Sequence, residues 1–261
     1  MMNTQRSFPI GHAQGGAALA ETVIIMPVFL ILALGIVQWM LIYQARSTIN
    51  YATLMAARAG AVSSLNQEKI LQGLGRGLAP LFALPSPSGD PTAFFDTLNQ
   101  ITTNTVEPNS EIRILNPTVE AFNDHGRMNL RGVREIVNDR LQLRPAQVGG
   151  TSRVNIQDAN ILKLKVVYCH EMVVPFANSV IATVSSWFTT DAFAIDCLVN
   201  KTRIPILATA IVRMQSPPEE NDWVMSLRDI EDDLSTALTP FAGDGSRQGH
   251  RPWESGPTGQ N

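Results

Sequence analysis

The side chains best suited to catalysis are few and widely spaced in this sequence. Its four histidines are scattered, and its only cysteines are Cys169 and Cys197. No zinc-protease, nucleophile-elbow, phosphate-loop or Cys-x-x-Cys motif is present. His170 follows Cys169, but adjacent strand residues point to opposite faces of a sheet, which argues against a nucleophile and base pair. The sequence therefore predicts no catalytic residue, no metal site, no cofactor and no enzyme activity.

One acid lies where its charge requires a chemical explanation. Glu21 begins an apolar run in which no residue from Thr22 to Tyr43 is ionised. At about 1.5 Å per residue, a helix over this run spans roughly 30 Å, the hydrocarbon thickness of a bilayer. Ionisable residues in membrane helices are costly and usually have a partner. A cut between Gly16 and Ala17 would create an α-amino group about one helical turn from Glu21, and a neighbouring subunit's amine could then pair with this carboxylate.

The element that must position Glu21 is a long helix. The membrane helix predicted over residues 17–43 is expected to continue over 44–64, because apolar residues there recur at helical spacing. Its small residues, concentrated in 52–61, would let another surface approach closely. Gly73, Gly75 and Gly77 follow soon after, and their spacing predicts a turn rather than a phosphate-binding loop.

Residues 65–216 are predicted to form one extracytoplasmic α+β domain with an antiparallel sheet. About two hundred residues remain beyond the helix, enough for one compact core. Alternating apolar and polar residues predict strands over 110–116 and from Ile161 onward. Further strands are expected over 193–199 and 204–214, with a short helix after Asn178. The predicted fold class is thus α+β, with a long N-terminal helix carrying the head.

The C-terminal part divides into two segments. Residues 217–242 are predicted to form an acidic amphipathic helix, since apolar side chains recur every three or four residues from Trp223 to Leu238. This helix either docks on the parent domain or binds a partner. Residues 243–261 are rich in Gly, Pro and polar residues and are predicted to be disordered.

The two cysteines allow two states. In an extracytoplasmic domain, Cys169 and Cys197 would most simply form one disulfide, which stabilises by about 3 kcal/mol in the chain-entropy model. The alternative is a pair of reduced thiols in the core. The prediction of a disulfide depends on the topology rather than on the spacing of the cysteines.

The N-terminal pattern resembles a known family. Gly16, four small or apolar residues, Glu21 and a long apolar helix are similar to the class III signal peptides of type IV pilins and pseudopilins. The TadE-like proteins of tight-adherence (Flp) pili are most similar, because Pro27, Gly35 and the small residues of 52–61 occupy their early Pro, central Gly and small-residue segment. Two later stretches also look like the C-terminal half of longer members, at residues 156–175 and 203–217.

This resemblance implies a function and a set of partners. It implies a prepilin-type leader over residues 1–16, cut after Gly16 by a prepilin peptidase, with possible N-methylation of Ala17. The chain would be a minor pilin or pseudopilin that assembles a Flp-type pilus and uses Glu21 for subunit pairing. Its other partners would be pilins, pseudopilins and inner-membrane pilus assembly proteins. It would cross the bacterial inner membrane once, with its C-terminal domain in the periplasm.

Charge and hydropathy leave other interpretations open. With 261 residues, a net charge of -3 and no basic stripe, the chain lacks the footprint of a nucleic-acid-binding protein. The opening segment is a prepilin-type leader, an uncleaved signal anchor or a secretory signal. The last is least favoured, because a secretory signal has an apolar core of about 7–15 residues after a basic region. An uncleaved anchor would carry an extracytoplasmic binding or catalytic domain unrelated to pili.

Overall fold

The computed structural model describes residues 15–82, 91–172, 191–199 and 203–238. Its longest element is helix α1, Gly15–Val62, which runs for 48 residues with Pro27 inside it. At about 1.5 Å per residue, α1 extends for roughly 70 Å. The predicted membrane helix and its predicted continuation are therefore one element. Most of the predicted leader, the helix predicted after Asn178 and the predicted tail lie outside the described residues.

The rest of the fold is an α+β head, which confirms the predicted class. Six further α-helices and five strands are described: α2 (Gln67–Leu78), α3 (Pro91–Ile101), β1 (Ser110–Asn116), α4 (Val119–His125), β2 (Gly126–Met128), β3 (Arg134–Ile136), α5 (Ile156–Ala159), β4 (Ile161–Glu171), α6 (Ala192–Val199), β5 (Arg203–Arg213) and α7 (Leu227–Leu238). Strands β1, β4 and β5 form an antiparallel sheet in the order β1-β4-β5.

Alternation along β4 explains how the sheet forms a core. Leu162, Leu164, Val166 and Tyr168 share one face and are all buried. Their partners on β5 include Ala208 and Ala210, which are buried on the same face. The second half of α1 packs along β5 and β4. A long helix therefore covers the inner face of the sheet, as period-two patterning requires.

The glycines at 73, 75 and 77 do not form the predicted turn. They lie within α2, which begins at the cap Asn66, whose side chain accepts a hydrogen bond from the Lys69 N–H at 3.0 Å. A Cβ on Gly77 would lie 2.3 Å from the Cα of Ala52, so only glycine allows this approach of α2 to α1. The three glycines serve close packing of α2 against α1 rather than a turn. This packing overrides the low helix propensity of glycine.

The outer face of the sheet is partly covered by α6. The prediction of a strand over 193–199 is wrong, because these residues lie in helix α6. Asp191 starts this helix: its carboxylate accepts a hydrogen bond from the Phe193 N–H at 3.0 Å, and its carbonyl accepts one from Ile195 N–H. The periodicity of a short apolar run does not distinguish a strand from a helix. The local feature that indicates a helix here is Asp191, a favourable N-cap residue.

A disulfide ties α6 to the sheet. Cys169 of β4 and Cys197 of α6 are bonded, with Cα atoms 5.5 Å apart. The bond therefore joins a strand to a helix, because residues 193–199, predicted as a strand, are helical.

Removing this bond should lower stability without changing the architecture. Replacing both cysteines with alanine is expected to lower the free energy of unfolding by about 2–5 kcal/mol, as loss of a native disulfide does in small secreted domains. Thermal unfolding of the detergent-solubilised chain measures the effect, and added reductant should lower the midpoint of the parent but not of the variant. Equal midpoints for parent and variant would contradict this prediction.

The polypeptide after β5 is not a single long helix, because an extended segment precedes the helix. The helix predicted over 217–242 is described only as α7, which begins at Leu227. Before it, Val224 forms a parallel bridge to Ile114 of β1, with Ile114 N–H donating to the Trp223 carbonyl at 2.8 Å and Met225 N–H to the Ile114 carbonyl at 3.0 Å. Trp223 thus precedes the helix, and its segment covers the free edge of β1.

Candidate assembly surface

The first half of α1 is an uncovered apolar rod. Over residues 21–37, here called the apolar half, every side chain is exposed except Leu34, which is half-buried. Its exposed large residues surround the helix: Val23, Ile24, Ile25, Met26, Val28, Phe29, Leu30, Ile31, Leu32, Ile36 and Val37. A helix that is apolar on all sides needs a lipid or protein environment. Among the described helices, one is long and apolar enough to cross a membrane, and the apolar half lies within it.

The second half of α1, residues 38–62, is the spine of the head. Gln38 is the first fully buried residue along the described part of the helix, followed by Ala45 and Ile49. From there one stripe is buried, including Ala52 and Ala56. The change from exposed to buried marks where the head begins to cover the helix. Because the helix is continuous, it determines where the residues at its start, including Glu21, lie relative to the head.

Glu21 lies at the start of the apolar half. Its side chain is exposed, and it forms no ion pair with any described residue of the chain. The backbone at Gly16 and Ala17 is helical, so Ala17 and Glu21 are separated by about one turn, roughly 6 Å along the axis. The structure thus gives the predicted processing and pairing residues a common helical frame. A carboxylate in this position has no partner within the described chain.

A second charged group joins the sheet to the helices over its outer face. Arg113 of β1 and Lys165 of β4 are directly opposite each other, a like-charged pair that is unfavourable alone. Three carboxylates surround them, from Glu111, Asp191 and Asp233. The Arg113 guanidinium lies 2.8 Å from Glu111, 3.1 Å from Asp191 and 3.0 Å from Asp233, and Lys165 Nζ lies 2.5 Å from Asp233. This charge cluster links β1, β4, α6 and α7.

Burial shifts the pKa values of groups in this cluster. Desolvation raises the pKa of Glu111, although the positive charge of Arg113 lowers it in part. Desolvation lowers the pKa of Arg113, but the neighbouring Glu111 and Asp191 carboxylates offset it, and the pKa is raised overall. Each charged group of the cluster has a partner of opposite charge within it, so the cluster is a structural ion-pair network. The sequence does not indicate this cluster, because its acids come from three separate segments.

Asp124, at the end of α4, holds a surface loop through its carboxylate. It accepts hydrogen bonds from the Ser152 N–H at 2.7 Å, the Thr151 hydroxyl at 2.7 Å and the Thr151 N–H at 2.9 Å. These donors, the Ser152 N–H first and the Thr151 hydroxyl second, hold the pKa of Asp124 well below its ordinary value of 3.8. Because the folded pKa is depressed, the associated stability is present above the unfolded pKa and is lost as the pH falls.

The Asp124→Asn variant should therefore be less sensitive to acid. Asparagine keeps one oxygen acceptor for the loop but cannot bind the proton that weakens the parent. Between pH 6 and pH 3, we expect the free energy of unfolding to fall more in the parent than in the variant. Denaturant unfolding at both pH values measures this difference. An equal fall in both proteins would show that the Asp124 carboxylate is not linked to folding.

The depression beside this loop does not assemble catalytic chemistry. Its volume is about 360 Å³, and Asp124 and His125 line it. Both are already engaged, since His125 Nε2 lies 2.9 Å from the Val154 carbonyl oxygen. Elsewhere, burial lowers the pKa of His170, and its neighbour Cys169 is held in the disulfide, which removes a thiol nucleophile. Within the described ranges, no cluster of three potential ligands could hold a metal ion.

The protein is thus an α+β head built on one long helix, and the first half of that helix is a candidate membrane anchor. Residues 16–58 match the family described as TadE-like protein, so the resemblance predicted from Gly16, Glu21 and the small-residue segment is confirmed. The matched region includes the apolar half and most of the spine. It ends before the later stretches that also looked similar. No curated protein and no solved structure matches the chain. The family match associates the chain with Tad (Flp) pili.

Proposed function

We propose that the protein is a minor pilin or pseudopilin of a tight-adherence (Flp) pilus machine. It is made with a leader over residues 1–16, is cut after Gly16 by a prepilin peptidase, and is anchored in the bacterial inner membrane by the part of segment 17–43 that the head leaves uncovered, the apolar half. The spine, residues 38–62, continues the helix into a periplasmic head. Its partners are other pilins, pseudopilins and inner-membrane pilus assembly proteins. The acidic segment 217–242 docks on this head through Asp233, whose carboxylate contacts Arg113 and Lys165.

The observation that carries this proposal is the division of α1. The family match over residues 16–58 falls on a helix that is apolar and exposed over 21–37, then buried as the spine of the head. This division suits a subunit that is stored in a bilayer and later packs its helix among other helices, since both environments cover apolar surface. The disulfide also fits a periplasmic head, because disulfides persist in oxidising compartments.

Glu21 has a defined chemical role in this proposal. Processing after Gly16 leaves a positively charged amine on Ala17, and each subunit then carries one amine and one carboxylate a helical turn apart. In a bundle with subunits offset along the axis, Glu21 of one subunit meets the Ala17 amine of its neighbour. In a medium of low dielectric constant, the attraction between these charges is far stronger than in water. The pair would therefore favour one stagger of the helices.

The experiment that tests the proposal is a determination of the N-terminus and the intact mass. The chain is purified from its native membranes, with the prepilin peptidase present and absent. A start at Ala17 that requires the peptidase is expected. A start at Met1 or Met2 in both strains would overturn processing and leave a signal-anchored binding or catalytic domain as the function.

The Gly16→Trp variant should remain unprocessed. A small residue lets the scissile bond sit in the peptidase, and an indole at that position would prevent this. The unprocessed variant keeps its leader, so its intact mass exceeds that of the mature parent by the mass of the leader. Gly15→Ala is the matched control, since it changes a neighbouring glycine outside the scissile bond and should be cut normally. Normal cutting of Gly16→Trp would contradict recognition at this glycine.

A further inference from the structure

The two edges of the main sheet are treated differently. The edge of β1 is paired at Ile114 with the Trp223 and Met225 backbone, as described above. The edge of β5 has no such cover: its backbone hydrogen bonds go to β4, and no other described segment pairs with it. An open edge of eleven residues is a template for strand addition, which proteins usually block. Among the described residues, the β1 edge is therefore paired at Ile114, whereas the β5 edge is open.

The open edge has usable backbone groups. Pro205 lies in β5 opposite Cys169 of the central strand. Proline has no N–H, so within sheets it faces the open side of an edge strand. Residues at the same parity, Leu207, Thr209 and Ile211, therefore direct their N–H and C=O groups outward. No described segment of the chain bonds to these outward groups, so they can accept another strand.

The side chains along this edge indicate what kind of strand would fit. On the outer face, Leu207 is 53% exposed and Ile211 is 64% exposed, with Thr209 between them. Arg203 at one end pairs with Glu171 at 3.4 Å, whereas Arg213 at the other end is exposed and has no carboxylate partner among the described residues. A complementary strand would place apolar side chains beside Leu207 and Ile211 and a carboxylate near Arg213.

The direction of β5 limits the source of that strand. The N–H groups of Gln215 and Ser216, just after β5, donate to the Ala61 carbonyl at the far end of α1, at 2.9 and 3.1 Å. Strand β5 thus runs away from the apolar half. Since β4 is antiparallel to both neighbours, β1 runs away from it as well. Two copies anchored in one membrane that met through the edge strands of this sheet, β1 or β5, would bring together only strands of the same direction. Parallel pairing is less stable per residue.

We propose that the open edge of β5 accepts an extended strand from a different polypeptide, antiparallel to β5 and running toward the membrane. That strand has alternating apolar side chains and an acidic residue at its start, opposite Arg213. The inference rests on the shared orientation of anchored chains in the proposed function. Its result is separable from that function, because a chain that begins at Ala17 but shows no strand addition would leave the pilin role intact.

Photo-crosslinking in native membranes tests this. The full chain carries p-benzoylphenylalanine at position 207, 209 or 211, and Lys163, exposed on the same face of the central strand, is the control position. We expect one adduct from the β5 positions and none from position 163. Mass spectrometry then locates the attachment site on the partner. As the probe moves from 207 to 211, that site should move toward the partner's N-terminus, as antiparallel pairing requires.

A proline variant separates strand addition from other contacts. Thr209→Pro, combined with the probe at 211, removes one outward N–H and keeps the bonds from β5 to β4, so adduct yield should fall about tenfold. Thr209→Val keeps the N–H and should retain the adduct. An unchanged melting temperature confirms that the proline variant folds. An adduct with a second copy, attachment sites that move in the opposite sense, equal yields from 163 and 209, or an adduct that survives Thr209→Pro would each overturn the proposal.

Discussion

The Glu21→Ala variant is expected to be processed after Gly16 and yet to support no pili. Glu21 is exposed at the start of the apolar half, and none of the described residues of the same chain pairs with its charge. In a packed bundle, the alanine variant would leave each neighbour's amine without a counter-charge. An unpaired charge in a low-dielectric environment is strongly disfavoured. Electron microscopy of cells counts the pili, and immunoblotting of membranes follows the mature chain.

Two further variants isolate the charge of Glu21 from its shape. Glu21→Gln keeps the size of the side chain and removes the charge, so it should fail as the alanine variant does. Glu21→Asp keeps the charge on a shorter side chain and should retain some pili. All three variants should have normal heads, because residue 21 lies far along α1 from the first buried residue, Gln38. Normal pili in the alanine or glutamine variant would eliminate charge pairing as the role of Glu21.

The sequence predicted those elements in which one local pattern decides the structure. Strand β4 begins at Ile161 as predicted, because its alternating residues divide cleanly between a buried face and the outer face. Strand β1, Ser110–Asn116, has the predicted bounds for the same reason. Helix α1 was predictable because an apolar run long enough for a membrane continues without a helix-terminating signal into a run of small residues.

Other elements depend on contacts that a single segment does not reveal. Residues 192–199 form a helix over the sheet, and only the start at Asp191 distinguishes them locally from a strand. Phe95 and Leu98 recur at helical spacing, yet Phe95 is 53% exposed whereas Leu98 is buried. The charge cluster depends on Asp233 reaching Arg113, which lies 120 residues earlier in the chain. Sequence patterns carry no information about such distant pairs, since tertiary packing creates them.

The candidate site shows the same division. The apolar half and Glu21 were predictable from the rarity of an acid in such a run. The open edge of β5 was not predictable from the sequence. Which edges are open depends on the strand order β1-β4-β5 and on the segment around Val224, which covers the opposite edge. Composition along β5 predicts a strand but does not say which neighbours it has.

The Gly77→Ala variant should weaken the attachment of α2 to the spine. A single added methyl group would lie 2.3 Å from the Ala52 Cα and 2.7 Å from its Cβ, far inside normal contact distance. Because the first of these atoms belongs to the backbone of α1, the helices must move apart rather than let one side chain rotate. Ala52 is fully buried, so the separation also loosens the core. Overpacking of this kind costs about 1–3 kcal/mol, more than the gain in helix propensity from glycine to alanine.

Thermal unfolding of the detergent-solubilised chain, followed by near-ultraviolet circular dichroism, measures this loss. Gly35→Ala is the matched control, since a Cβ at Gly35 has no neighbour within 4 Å and should leave the midpoint of the head unchanged. Gly77→Ala and the compensating Ala52→Gly should be coupled, because removing the Ala52 methyl group relieves one of the two short contacts. A Gly77→Ala midpoint equal to that of the parent would show that α2 can shift freely, and that the glycines at 73, 75 and 77 are not there for close packing.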